Sequence, residues 1–107
     1  MRELNEILID VQECSEDYRT LKLKNVSEQS EILRRLSCAL QDLEFYRADL
    51  YDDWLDIYFS CKATSNASKT KLADNQLREL HRIRMVMRGG HKLQDSMRST
   101  ISVNRNL

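Results

Sequence analysis

Apolar side chains recur at intervals of three and four along almost the whole of this chain, and no proline interrupts them. The first stripe reads Leu4, Ile7, Val11, Cys14, Tyr18, Leu21. A second reads Leu33, Leu36, Leu40, Leu43, Leu50, Trp54, Ile57, Cys61. A third carries Leu72, Leu77, Leu80, Ile83, Met87, Gly90, Leu93, Met97 and Ile101. Such spacing lines one face of an α-helix and cannot line one face of a strand, where the period is two. Proline would break the ladder of backbone hydrogen bonds, so its absence permits helices of unusual length.

The stripes predict an all-α fold: a long antiparallel, coiled-coil-like helical hairpin with an additional N-terminal helix, in one domain over residues 1–107. The helices are expected at about 3–23, 26–62 and 72–104. The second stripe lies one residue out of register with the first, which requires a break near Lys24–Ser27. Asn25 followed three residues later by Glu28 is a capping-box pattern there. Lys22 and Lys24 are expected at the end of the first helix, where its dipole favours cations. Thr64–Thr70, TSNASKT, is the one small and polar run and the expected turn of the hairpin.

Both glycines of the chain, Gly89 and Gly90, stand together inside the third stripe. In a helix interior each costs about 1 kcal/mol relative to alanine. Gly90 falls on the apolar face, where a missing side chain lets another helix approach closely. A kink at 89–90, or a stop there with a new helix near His91, are the alternatives.

Net charge is zero but unevenly distributed. Residues 1–61 carry seven Lys/Arg against fourteen Asp/Glu, a balance of −7; residues 62–107 carry ten against three, a balance of +7. That asymmetry points either to an anionic partner for the C-terminal half or to pairing between the halves. Lys71, Arg78, Arg82, Arg84, Arg88, Lys92, Arg98 and Arg105 are the candidate nucleic-acid-binding residues, because lysine and arginine neutralise phosphates without reading sequence. The competing expectation pairs these cations with Asp49, Asp53 and Asp56 inside the hairpin.

Six of the seven aromatic residues lie between Phe45 and Phe59. Aromatic rings inside a positive groove hold single strands. Here Asp49, Asp52, Asp53 and Asp56 are interleaved, which favours a core or protein-interface role for the rings. Tyr51, Trp54 and Tyr58, with Gly90, Leu93, Met97 and Ile101 of the third stripe, are the expected protein-interface positions. A hairpin this thin leaves apolar surface uncovered, so a homo-oligomer is expected.

No catalytic pattern is present. Gly89-Gly90 has no following Lys-Ser/Thr and no preceding strand, so it is not a phosphate loop. Cys14, Cys38 and Cys61 form no C-x-x-C and no Cys/His ligand set. They read as free thiols of a reducing, cytoplasmic compartment, with no metal, no cofactor and no small-molecule substrate expected. The N-terminus is too acidic for a signal peptide, and no apolar run approaches the roughly 18 residues needed to cross a bilayer.

Two segments resemble the UvsY family of phage recombination mediators. Leu50–Tyr58, LYDDWLDIY, is similar to a Leu-Tyr-x-x-Trp-Leu helix segment of that family. Leu93–Leu107, LQDSMRSTISVNRNL, is similar to its C-terminal helix in the spacing of apolar residues and in a basic-Ser pair, here Arg98 and Ser99. The chain has Thr100 where the family continues with glycine. The resemblance implies a non-enzymatic oligomer that binds single-stranded DNA. It further implies a role in loading a recombinase onto DNA coated with single-strand-binding protein.

Overall fold

The computed structural model describes residues 2–64 and 67–105, with side chains at 2–59 and 71–103. Three α-helices follow one another: α1 over Leu4–Tyr18, α2 over Val26–Thr64 and α3 over Ala67–Arg105, with a 3-10 turn at Leu21–Leu23 between α1 and α2. α2 and α3, of 39 residues each, form an antiparallel hairpin, and the molecule is a rod of 64 × 20 × 17 Å. The expected turn at Thr64–Thr70 falls partly on residues 65 and 66, which lie outside the described residues. α2 holds its helix to Thr64, and α3 begins at Ala67, five residues before the expected start.

The first helix is shorter than the expected 3–23. After Tyr18 the chain leaves the α-helical path: Thr20 has φ −114° and ψ 15°, and its N–H donates to Asp17 O three residues back. This tightening swings Leu21 into full burial in the core. The Leu21 carbonyl accepts from the Lys24 N–H at 3.1 Å and also from Nε2 of Gln29 at 2.8 Å, a side chain buried near the start of α2. Lys22 and Lys24 therefore stand beyond α1 and cannot serve its dipole. Asn25 caps α2 as expected, its Oδ1 accepting from the Glu28 N–H at 2.8 Å while its Nδ2 donates to Glu28 Oε1 at 3.0 Å.

The inner face of α3 keeps a strict alternation of three and four: Ala73, Gln76, Leu80, Ile83, Met87, Gly90, Gln94, Met97, Ile101. Three expected core positions shift by one residue. Leu72 and Leu77 are about half exposed, and Ala73 and Gln76 face inward in their place. Gln94 takes the inner position expected of Leu93, satisfying its Nε2 on Ser37 Oγ of α2 at 2.7 Å. Leu93 remains half-buried beside the core.

Gly90 settles the question of the glycines. α3 runs without interruption through both, and a Cβ at Gly90 would lie 2.5 Å from Leu40 Cδ2 of α2. Gly89, one residue round the helix, has nothing within 4 Å of where its Cβ would be. Gly90 marks a close helix crossing.

The core is concentrated at the end of the hairpin away from the turn. There α1 lies across α2 and α3, and Ile7, Cys14, Leu21, Leu36, Leu43, Ile83 and Met97 are buried almost completely. A charged cluster ties α1 to α2. Asp10 accepts hydrogen bonds from Arg2 and from Arg35 (2.7 Å for the latter), Arg35 also pairs with Glu13, and Arg2 reaches Asp42 at 2.7 Å. Toward the turn α1 is absent, and α2 and α3 pack as a bare pair. Gln76 Oε1 is buried there without a hydrogen-bond partner among the described residues.

Candidate nucleic-acid interface

Between Arg47 and Arg84 the two long helices open a groove of about 610 Å³ along one flank of their seam. Arg47 and Tyr51 line it from α2; Leu77, Arg78, Leu80, His81 and Arg84 line it from α3. Three guanidinium groups, one imidazole and one phenol thus converge over an apolar floor. Arg47 is held by Glu44 at 2.7 Å. Arg78 and Arg84 have no ion pair among the described residues, so their charge is available to an external anion.

Tyr51 of the groove also begins a series of aromatic contacts along α2. Tyr51 and Trp54 have ring centroids 5.6 Å apart, Trp54 and Tyr58 stack at 5.4 Å with planes 29° apart, and Phe59 meets Tyr58 edge-on at 5.7 Å. Spacing of three and four on a helix brings these rings over one another. Asp49, Asp52, Asp53 and Asp56, interleaved in sequence, project from other faces of α2. All four are exposed and none has an ion pair among the described residues. The cations of α3 do not pair with them across the hairpin, as one sequence expectation had it.

The candidate basic residues do not form one patch. Arg78 and Arg84 share the groove. Arg98 lies on the same flank of α3 two heptads beyond Arg84, roughly 21 Å along the axis, and Arg88 is exposed beside them. Arg82 leans on Glu79 at 3.7 Å, and Lys71 is exposed toward the turn. Lys92 borders a different groove, between α1 and α3, with Val11, Gln12, Val86 and Leu93. The side chain of Arg105 lies outside the described residues. Of the expected interface set, Gly90, Met97 and Ile101 are buried within the chain and Leu93 is half-buried, whereas Tyr51, Trp54 and Tyr58 retain exposed surface.

Sequence reasoning missed Arg47 and His81 as members of this site. Arg47 interrupts the second apolar stripe between Leu43 and Leu50. That interruption is the signal: a cation at an inner helical position has to emerge at a flank of the seam.

Comparison with protein-family models, with curated proteins and with solved structures finds no match to this chain. Among the described residues no three His, Cys, Asp or Glu side chains converge as metal ligands, and no helix is long and apolar enough to cross a membrane.

Proposed function

We propose that this protein is a non-enzymatic, oligomeric accessory protein of DNA recombination or repair, binding single-stranded DNA through its basic C-terminal half and assisting recombinase loading. One observation carries the reading: the groove of Arg47, Arg78, His81 and Arg84 shares Tyr51 with the ring ladder Tyr51–Trp54–Tyr58. Cations along a strand's backbone and rings beneath its bases are the two components of sequence-tolerant single-strand binding. The acids that argued against stacking face elsewhere. Both segments resembling recombination mediators contribute, the first supplying the rings and the second Arg98.

A second reading, a coiled-coil adaptor that binds only protein, draws on the exposed apolar residues Phe45, Phe59, Leu77 and Met85.

Trp54 is the single tryptophan and serves as an internal probe. Titration with a single-stranded oligothymidylate at low salt quenches its fluorescence if bases stack on the ladder, and Tyr51→Ala together with Arg84→Ala weakens the titration. Absence of both quenching and oligonucleotide binding leaves the protein-only adaptor.

A further inference from the structure

The outer ridges of the hairpin, on the sides of α2 and α3 facing away from each other, carry opposite charge. On α2 the ridge near the turn presents Phe45, Asp49, Asp52 and Asp56, all exposed and with no cation among them. On α3 it presents Lys71, Asp74, Arg82 and Met85, likewise exposed. Phe45 is 56% and Met85 51% accessible, which leaves one large apolar side chain uncovered on each ridge.

The register of the hairpin sets these two ridges at matching heights. Gly90 opposes Leu40 and Gln94 opposes Ser37, and each step up one helix is a step down the other. Carried toward the turn, this puts Phe45 level with Met85 and Asp49 level with Arg82; nearer the turn the match ends, with Asp56 level with Asp74. These residues cannot meet within one chain, because they lie on opposite sides of the rod. A second copy displaced sideways, without sliding along the rod, brings the α2 ridge of one against the α3 ridge of the next in that register.

We infer that copies of this chain assemble side by side, the acidic α2 ridge around Asp49 docking on the basic α3 ridge around Arg82, with Phe45 against Met85. The partner is a second copy because Asp49 and Arg82 stand at the same level on opposite ridges with opposite charge, and Phe45 and Met85 stand level beside them. The contact is heterologous, so it propagates into a row or closes into a ring. Every copy then turns its Arg84–Tyr51 groove to the same side of the row, giving one strand a continuous track. The inference rests on the oligomeric part of the reading above and is independent of whether DNA binds.

The test is sedimentation velocity of the full chain without nucleic acid, at tens of micromolar and low salt. Wild type is expected to sediment as an oligomer that dissociates as salt rises. Asp49→Arg and Arg82→Asp are each expected to shift it toward monomer with helicity retained, because both sites are exposed. Mixing the two variants restores the oligomer, since each reversed face then meets its complement in the other protein. A monomeric wild type would overturn the inference, as would variants that assemble like wild type or a mixture that stays dissociated. Binding of labelled oligonucleotide by the same samples reports separately on the DNA reading.

Discussion

Gly90 of α3 lies so close to Leu40 of α2 that a single added carbon would stand 2.5 Å from the leucine Cδ2. The contact fixes the register of the hairpin. With the Gln94–Ser37 hydrogen bond it determines which residues of α2 and α3 share the groove.

The two glycines therefore respond differently to substitution. Gly90→Leu overpacks the crossing and is expected to cost about 1–3 kcal/mol. Gly89→Ala meets open space and relieves the helix of a glycine, so a gain of about 0.4–1 kcal/mol is expected. Urea denaturation of the two variants checks the contrast, and equal responses would contradict it.

The Asp10 cluster makes the docking of α1 dependent on pH. Burial alone raises the Asp10 pKa, but hydrogen bonds from Arg2 and Arg35 outweigh it and hold the carboxyl below the ordinary aspartate range. A depressed folded-state pKa contributes stability above the ordinary value, and that contribution is lost as pH falls through the folded one. Asp10→Asn is accordingly expected to cost on the order of 1 kcal/mol at pH 7. Measured by urea midpoints, the gap between wild type and variant should shrink toward pH 3. A gap independent of pH would show that the cluster acts by shape alone.

Cys14 and Cys38 should differ sharply in reactivity. Cys14 is fully buried, and that burial pushes its thiol up to about 11. Its sulfur lies 3.8 Å from the Ile32 carbonyl, where α1 meets α2. Cys38 is exposed on α2. In a Cys61→Ser background at pH 8, a thiol reagent should modify one cysteine at once and the second only on unfolding. Two rapid equivalents would mean that α1 does not stay docked.

Much of this architecture was legible in the sequence because period and capping are local properties. The stripes, the Asn25–Glu28 cap and the place of Gly90 on the apolar face depend on spacing within a single helix, whereas the choice between a crossing, a kink and a stop at Gly90 required Leu40 of α2. What could not be read depends on the opposition of two helices. Apolarity favours Leu93 over Gln94 for the inner position, yet Gln94 fits there because Ser37 satisfies its amide. Leu72 and Leu77 lose the inner positions to Ala73 and Gln76, which hold the strict alternation of the seam. The groove draws Arg47 and Tyr51 from one helix and Arg78, His81 and Arg84 from the other. No spacing along either helix reveals that meeting until the register is known.

The most direct test is the affinity for a labelled single-stranded oligonucleotide across a salt series, for wild type and for Arg84→Ala. Binding through the groove predicts that affinity falls with salt, with a log–log slope of about −0.7 for each phosphate neutralised. Arg84→Ala should make that slope shallower by about 0.7 while helicity is kept, since alanine is the better helix former. No binding at low salt, or an Arg84→Ala protein with unchanged affinity and slope, would contradict the account.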